Sequence, residues 1–533
     1  MAETKLLPKT FNTFFIKNWL TLFMLTLLSH SHFMFYFLWG NHDWSWIQHN
    51  TPLLSGLFEG RFSQFILQNT FSDGRILPIF TMILALGFYS ASSFLLLKLL
   101  KLPENKIPFL LISLFITTSP YIISWLYFAF ITLSCLSWPF FIILAFIFLS
   151  NAKTSKHPLI TRIFASLFFL LAIGGYPPVI NLISLIFFIL IINDTCFNKL
   201  TIKHIIKKNI PTIITILLSL IGVLIIQYYL KKYNLQQPTY NTAQLNLADL
   251  PQKLYHTFII SFKQFTTTKT FIGYTFKYLN LCVVLLSLIS LYIHAPKNIL
   301  HLTILTLSIL GLLISTVLTT LIAENVHFVV YEPRIEFFGL LYIYAFALIT
   351  LIKSQNTLLK NLAQLICIIL IFININTLSY AAKVWNLGFK SEANLSNRII
   401  NDIEKKPTFN PNQKYTFIQG GTTDFRSRFY ITKNQFEKPD GYTLTAPYVP
   451  WHLPSKAYKF YTPTDFFGKD FDIFWRYIHP SEIAMTDDLY QYITKTATPW
   501  PQNNAIFIDE NTIILTLSYD GMMQSRYWIK NYY

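Results

Sequence analysis

One carboxylate and two arginines near the ends of apolar runs are the residues in this chain whose types best suit a chemical reaction. Asp43 follows the first apolar run, which ends at Gly40, and Arg61 lies in the same polar segment. Arg334 precedes a later apolar run. A carboxylate can remove the proton of an attacking hydroxyl, and arginine can neutralise a departing phosphate. Together these residues suit displacement of a phosphate by a hydroxyl, in one inverting step with a single carboxylate as the base.

The residues beside Asp43 extend this candidate site. His42 could hold the attacking hydroxyl next to Asp43, or it could cap the preceding helix. Trp44 is a candidate for substrate binding, although an aromatic belt at the membrane surface would also account for a tryptophan there. Such a belt does not explain the carboxylate. We therefore predict that Asp43 is the catalytic base, with His42 beside it.

Two further residues are candidates for substrate binding. Arg75 lies in the sequence "SDGR" of the first polar segment, and Tyr176 lies in "GGYPP". The second sequence predicts a tight turn in which Pro177 and Pro178 begin the next helix. In that turn Tyr176 could line a cavity.

Two of the arginines also have a purely structural interpretation. Arg61 could form a salt bridge with Glu59, and Arg334 could pair with Glu332 or Glu336 at the start of a helix. The catalytic interpretation requires instead that the apolar runs form a bundle. One basic and one acidic site would then face each other across a cavity at its outer surface.

The composition of the whole chain predicts a polytopic α-helical membrane protein. Of 533 residues, 53% are hydrophobic and 13% are charged, and the mean hydropathy is +0.43. A water-soluble protein needs more charge to cover its surface, whereas apolar runs long enough to cross about 30 Å of hydrocarbon recur here. Eleven spans are predicted, at residues 18–39, 76–97, 107–120, 124–149, 163–174, 178–193, 211–229, 279–293, 300–322, 337–353 and 361–379.

The basic residues predict the orientation of these spans. Four clusters of lysine and arginine fall on alternate sides of successive spans, and they therefore share one face, which is the cytoplasmic one. The clusters begin at Lys98, Lys153, Lys199 and Lys353. An odd number of spans then places the N-terminus in the cytoplasm and the C-terminus outside. Because topology accounts for many of these charges, the net charge of +17 does not predict nucleic-acid binding.

Two regions outside the spans have predicted structures of their own. Apolar residues between 247 and 265 recur at helical spacing, with Asp249 as the predicted N-cap. They predict an amphipathic helix that lies either on the membrane surface or against the outer end of the bundle. After residues 1–379, the membrane domain, the composition becomes polar, and residues 380–533 predict an α/β domain on the outer face. Its predicted strands are in "KYTFIQGG" and "AIFIDENTIILTLS", the latter with an internal turn.

No cofactor or metal site is predicted. The four cysteines lie in or beside apolar segments, and no pair has the spacing of metal ligands. They are Cys135, Cys196, Cys282 and Cys367. A divalent metal stays an open alternative without a predicted set of ligands.

Five short motifs, in order along nearly the whole chain, carry a family resemblance. They are "NHDWSW" after the first span, "EGRF" in the first outer loop, "YEPRIEFF" before a late span, "YAAKVWNLGFKSEANLSNRIINDIE" after the last span, and "TPWPQNNAIFIDENTIILTLS" near the end. The layout resembles the Gtr-type serotype-converting glucosyltransferases. That family belongs to the GT-C superfamily of polytopic enzymes that depend on polyprenyl phosphates.

The resemblance implies a GT-C-like fold in the bacterial inner membrane, a polyprenyl-phosphate-linked sugar donor, a periplasmic active site and a surface polysaccharide as acceptor. Asp43 matches the acidic position after the first helix, Arg61 the Gly-Arg pair, and Arg334 the Pro-Arg before a late helix. The family often has two adjacent acids after the first helix, and this chain has His42 in place of the first. That difference argues against a metal held by the pair.

The predicted function is therefore transfer of a hexose, glucose in the first instance, from polyprenyl phosphate to a cell-surface glycan such as O-antigen or lipopolysaccharide. A flippase or transporter of lipid-linked glycans is one alternative. It would carry charged or broken-helix sites near the bilayer midplane, where the predicted spans have almost no ionisable residues. A polysaccharide polymerase or ligase is the other, and the long polar domain after the last span argues against it.

Overall fold

The computed structural model describes residues 13–35, 55–75, 77–103, 106–126, 129–152, 154–235, 249–266, 273–321, 333–410, 413, 416–420, 473–474, 487–509 and 512–516. The chain divides into two compact units, Met1–Ala382 and Lys383–Tyr533. The predicted boundary after residue 379 lies three residues before this division.

The regular structure in the described part of unit 1 is helical. In chain order its helices are α1 (Thr13–Ser29), α2 (Ser31–Phe35), α3 (Ser55–Phe58), α4 (Phe62–Ser72), α5 (Pro78–Leu99), α6 (Lys106–Thr117), α7 (Ile123–Leu126), α8 (Ala129–Asn151), α9 (Pro158–Ile173), α10 (Val179–Cys196), α11 (Ile202–Lys232), α12 (Leu250–Lys263), α13 (Tyr274–His294), α14 (Ile299–Ser315), α15 (Pro333–Phe338), α16 (Leu340–Ile352) and α17 (Thr357–Glu404). Turns of 3₁₀-helix occur at Pro120–Ile122 and Leu318–Leu321. The last helix, α17, continues past residue 382 into unit 2.

Eight of the described helical segments are long and apolar enough to cross a membrane. They are Ile79–Leu99, Ile107–Leu126, Ile131–Asn151, Val179–Cys196, Ile202–Lys232, Thr275–His294, Ile335–Ile352 and Thr357–Lys383. Three further apolar helices are shorter, namely α1, α9 and α14. Each of these segments overlaps one of the eleven predicted spans. The predicted third span, 107–120, is extended because the 3₁₀ turn and α7 continue it to Leu126.

Helix α16 is the most buried of these helices, since every residue from Leu340 to Ile352 is buried. Other helices bury one side only. Leu159 on α9, Leu224 on α11 and Phe372 on α17 are all more than 60% exposed. Apolar side chains that point outward from a helical bundle are expected to face lipid. The pattern is that of a polytopic helical membrane protein.

Unit 1 has two distinct ends, joined by α8. This helix has 23 residues and is therefore about 34 Å long. It begins after Trp125, whose ring lies 5.2 Å from that of Tyr176, so that the turns before α8 and α10 meet at this end. At the other end of the unit, Lys353 Nζ donates to the Leu100 carbonyl and, at 2.6 Å, to Asn193 Oδ1.

The contacts of Lys353 join the ends of α5, α10 and α16. We call this end of unit 1 the basic end, because it carries Lys98, Lys101, Lys208 and Lys353. We call the end with Trp125 and Tyr176 the aromatic end. The assignment of the basic end to the cytoplasm stays a prediction.

Helix α12 has its polar side inward and its apolar side outward. Lys253 and Thr257 are buried, whereas Leu254 and Phe258 are each almost half exposed. The helix packs on α14 and the 3₁₀ turn Leu318–Leu321. It is therefore attached to the bundle, as one alternative predicted, while its exposed apolar side has the character expected of a membrane-surface helix. Asp249 precedes the helix as predicted, but its side chain makes no capping hydrogen bond.

The described part of unit 2 contains a four-stranded sheet. Its strands are β1 (Thr416–Gly420), β2 (Ile473–Phe474), β3 (Ile506–Asp509) and β4 (Thr512–Thr516), in the spatial order β2-β1-β4-β3. Strand β1 is parallel to β2 and to β4, and β3 and β4 are antiparallel. The short helix α18 (Asp487–Gln491) and a π-helical turn (Tyr492–Thr496) precede β3.

The end of α17 completes the core of this sheet. Ile399 and Ile403 are fully buried against Trp500, Ile513 and Leu515. Strand β1 and the antiparallel pair β3–β4 occur where the sequence predicted strands. The role of this unit as a periplasmic domain stays a prediction.

Candidate functional site

The predicted site residues divide into those that the structure describes and those that it does not. Asp43, His42 and Trp44 lie outside the described residues. Arg334 is the second residue of α15, and its side chain is outside the described set. Arg61, Arg75 and Tyr176 are described with their side chains.

Arg61 lies between two partners at the aromatic end. Its Nη1 lies 2.5 Å from Glu59 Oε2, as the structural alternative predicted, and its guanidinium carbon lies 5.2 Å from the centre of the Tyr176 ring. The side chains of Arg61 and Glu59 are 30% and 43% exposed. An ion pair with this exposure contributes about 0–1 kcal/mol, so an incoming anion could replace Glu59 at small cost.

The backbone before Arg61 turns at a glycine. Gly60 has φ 72°, a left-handed conformation that favours glycine because it has no Cβ. The Gly60 carbonyl accepts a hydrogen bond from Gln227 Nε2 on α11 at 3.5 Å. The Gly-Arg sequence thus turns the chain so that Arg61 is positioned immediately before α4.

The turn that carries Tyr176 packs closely on α4. A Cβ at Gly174 would lie 2.2 Å from Phe62 Cζ, which leaves room for hydrogen only. Ser63 Oγ donates to the Leu171 carbonyl at 2.5 Å. These contacts hold the turn against the start of α4 and so hold Tyr176 against Arg61. Pro178 occupies the N-cap position of α10, in agreement with the predicted turn.

An aromatic cluster connects this turn to the helix that carries Arg334. The Tyr176 ring lies 6.2 Å from the ring of Phe338, the last residue of α15. The Trp125 ring lies 5.5 Å from the Phe338 ring. Arg334 is four residues before Phe338, about one helical turn or 6 Å of rise. Arg61, Tyr176 and the backbone of Arg334 therefore belong to one region at the aromatic end.

A buried ion pair adjoins this region through helix α15, which carries one of its two residues. Lys277 Nζ on α13 lies 2.9 Å from Glu336 Oε1, and the two side chains are 2% and 5% exposed. Lys277 Nζ also donates to the Gln264 carbonyl at 2.8 Å. Glu336 follows Arg334 by two residues, so the pair holds α15 in place against α12 and α13.

Further polar contacts continue behind the ion pair. Gln264 Nε2 donates to Thr316 Oγ1. Asn181 Nδ2 donates to the Thr316 carbonyl at 3.0 Å, and Asn181 Oδ1 accepts from the Thr319 amide at 3.0 Å. These bonds connect α10, α12 and the end of α14 beneath the site.

Arg75 is at a distance from the other described candidates. Helix α4, with 11 residues and a length of about 16 Å, separates it from Arg61. The Arg75 side chain is 77% exposed, and its Nη2 lies 3.9 Å from Asp73 Oδ2. The structure therefore does not bring Arg75 together with Arg61 and Tyr176.

Sequence reasoning missed three residues of this region, Trp125, Lys277 and Phe338. The two aromatic residues are part of apolar runs and have no signal of their own. Lys277 did have a sequence signal, because it lies at the predicted outer end of a span, where the positive-inside rule does not require a lysine.

Among the described residues, no three His, Cys, Asp or Glu side chains lie together in a way that could hold a metal ion.

A scan against protein-family models gave no match, and searches of curated proteins and of solved structures also gave none. The class of protein defined here is thus a polytopic helical membrane protein. Its described aromatic end combines one accessible arginine with a buried ion pair.

Proposed function

We propose that this protein is an inverting hexosyltransferase that moves a hexose, glucose in the first instance, from a polyprenyl phosphate to a hydroxyl of a cell-surface glycan such as O-antigen or lipopolysaccharide. The observation that supports this most is the meeting of Arg61, Tyr176 and α15, which carries Arg334, at the aromatic end of the bundle. These three motifs are more than 100 residues apart in sequence.

In the proposed reaction, Asp43 removes the proton of the acceptor hydroxyl. The hydroxyl oxygen forms a bond to the anomeric carbon from the side opposite the phosphate, and the bond from that carbon to the phosphate oxygen breaks with inversion. Arg61 and Arg334 neutralise the charge of the released polyprenyl phosphate. Tyr176 and Trp44 offer aromatic faces to the sugar, and His42 holds the acceptor hydroxyl.

The geometry of Arg61 supports its part in this reaction. Its ion pair with Glu59 is partly exposed, and such a pair is weak. A phosphate accepts two parallel hydrogen bonds from one guanidinium and can therefore compete with the single contact to Glu59. The Tyr176 ring beneath Arg61 would keep the guanidinium in place during the exchange.

The test is sugar transfer by the purified protein in detergent or liposomes, with polyprenyl-phosphate glucose as donor and lipopolysaccharide as acceptor. We expect transfer by the wild type, loss by at least about 100-fold in Asp43→Asn because general base catalysis contributes that much, and a clear loss in Arg61→Gln. Lys231→Gln is the matched control, since Lys231 is an exposed cation on α11, one turn beyond Gln227. Full activity of a folded Asp43→Asn variant would remove Asp43 as the base.

The buried ion pair bears on the alternative of a glycan flippase. Lys277 is the third residue of the segment Thr275–His294, and Glu336 is the second residue of Ile335–Ile352. Both charges therefore lie at the ends of their segments, whereas a translocation site is expected near the bilayer midplane. This location favours chemistry at the membrane surface. Movement of lipid-linked glycan across liposomes, without transfer from any donor, would favour the flippase.

A further inference from the structure

A second candidate site is a cavity at the basic end of unit 1, far from Arg61. Its volume is about 950 Å³, and the ends of α5, α8, α9, α10 and α11 line it. Cavities of this size are typical of sites for small molecules and cofactors. Nothing in the proposed sugar transfer uses it.

Among the described residues that line the cavity, four are cations and one is a carboxylate. The cations are Lys98, Lys101, Arg162 and Lys208, and the carboxylate is Asp194. Lys208 Nζ lies 2.5 Å from Asp194 Oδ2, and the Asp194 side chain is 2% exposed. The carboxylate of Asp194 is thus already paired, and the described ionisable lining residues have a net charge of +3. Such a cavity suits an anion.

The region behind the cavity wall increases its positive potential. Asn193 lines the cavity and accepts a hydrogen bond from Lys353 Nζ at 2.6 Å. Burial and the nearby charge of Lys101 lower the pKa of Lys353 to about 8, while Asp194 acts in the opposite direction. A fifth cation therefore lies next to the cavity, directly behind Asn193.

Apolar side chains line part of the cavity, and exposed apolar side chains continue from it along two helices. Leu99, Phe146 and Leu190 line it together with neutral polar residues such as Asn209. Arg162 is followed on α9 by the exposed Ile163, and Thr212 on α11 is followed by the exposed Ile213. A ligand with a charged head and apolar chains matches this sequence of surfaces.

We propose that this cavity binds the phosphate head group of an anionic membrane lipid, whose acyl chains lie along the outward faces of α9 and α11. The phosphate takes its hydrogen bonds from Lys101 and Arg162 at the exposed side of the cavity. Basic recesses between membrane helices are known sites for anionic lipid head groups.

One of the cations can be removed without cost to the fold. Lys101 has φ 55°, in the left-handed region that favours glycine. Lys101→Gly therefore removes a charge while it relieves backbone strain. Arg162 is exposed on α9, so Arg162→Gln also leaves the packing of the bundle unchanged.

The experiment is native mass spectrometry of the purified full-length protein, titrated with phosphatidylglycerol or with phosphatidylcholine, which has no net charge. We expect the wild type to bind phosphatidylglycerol at least about tenfold more tightly than phosphatidylcholine. Lys101→Gly/Arg162→Gln should bind phosphatidylglycerol roughly 25-fold more weakly, since each cation near an anionic lipid accounts for a factor of about five. The matched control is Lys203→Gln/Lys207→Gln, which removes two exposed charges from α11 that do not line the cavity.

Retention of phosphatidylglycerol by the control, with an unchanged unfolding temperature of both variants without lipid, supports the site. Equal binding of the two lipids by the wild type, or an equal loss in both variants, would overturn it in favour of diffuse surface charge. A third arm adds inorganic phosphate. If inorganic phosphate binds directly and displaces phosphatidylglycerol at comparable concentration, the occupant is a soluble phosphate compound and the lipid proposal is wrong.

Discussion

At the scale of single residues, the pair Lys277–Glu336 is the most energetically demanding feature of the described site. The hydration that each ion loses costs several kcal/mol, and both side chains are at least 95% buried. Their mutual attraction and the bond from Lys277 to the Gln264 carbonyl must offset this cost. Either charge left alone would be buried without compensation.

We expect Lys277→Met or Glu336→Met alone to lower the free energy of unfolding by about 3–5 kcal/mol, as is usual when one partner of a buried pair is removed. The double variant removes both charges and should recover most of the loss. Thermal and denaturant unfolding of the detergent-solubilised chain, followed by circular dichroism, gives the coupling from the double-mutant cycle. Lys263→Met, at an exposed lysine of α12, is the control. Single variants as stable as this control would mean that the pair is accessible to water.

The sequence predicted part of this site and could not predict the rest. It named Arg61 with its salt bridge to Glu59, because those residues are two positions apart. It also placed Tyr176 in a tight turn. It did not find the partner of Glu336, because Lys277 is 59 residues away and its unusual place at the outer end of a span does not identify which residue it contacts. Asp43, His42 and Trp44 stay predictions, because they lie outside the described residues.

At the scale of elements, the amphipathic pattern of residues 247–265 predicted helix α12 but did not predict whether its apolar side faces lipid or protein. The sequence predicted the helix from its apolar period, and this prediction is confirmed. The period could not decide between lipid and protein as the partner of the apolar side. The structure buries Lys253, Thr257, Ser261 and Gln264 on the side that packs on the bundle. There Gln264 Nε2 donates to Thr316 Oγ1 at the end of α14.

We therefore expect the apolar side of α12 to contact lipid. Spin labels attached through Leu254→Cys and Phe258→Cys, in a Cys282→Ser background, should be more accessible to molecular oxygen than to a water-soluble nickel chelate. The measurement is the relaxation of each label by these two agents in electron paramagnetic resonance. Cys282 is the exposed one among the native cysteines, so its replacement removes competing labelling. Gln252→Cys, at an exposed polar position of the same helix, is the control. Greater accessibility of the labels at 254 and 258 to the nickel chelate than to oxygen would place this side of α12 in water.

At the scale of the whole molecule, local patterns predicted more than long-range contacts. Every predicted span overlaps an apolar helix, because about 20 apolar residues leave few alternatives to a helix in lipid. The hairpin β3–β4 is local and was predicted as well. The parallel pairing of β1 with β4 joins residues about 100 positions apart, and hydrophobic patterns do not encode such partners. The close approach of Phe62 to Gly174 was out of reach for the same reason.

The orientation of the whole molecule is the remaining prediction, and α11 offers an internal test of it. Lys207 near its start and Lys231 near its end are both exposed, and 24 residues of helix separate them by about 36 Å. The basic end gathers lysines from several loops, and the positive-inside rule assigns such a face to the cytoplasm. We expect Lys231→Cys, in the Cys282→Ser background, to react with a membrane-impermeant maleimide in intact cells. We expect Lys207→Cys to react only after the membrane is permeabilised.

A third position extends this test to unit 2. Asn503 is exposed, and the sequence places its domain on the same side as Lys231, so Asn503→Cys should react in intact cells. Labelling of Lys207→Cys alone from outside would reverse the orientation. The proposed site at the aromatic end would then lie in the cytoplasm, where no surface glycan could reach it. Labelling at both 207 and 231 would mean that α11 does not cross the membrane. The orientation therefore decides whether Arg61 and Tyr176 can meet a periplasmic acceptor at all, which makes it the condition on which the proposed reaction depends.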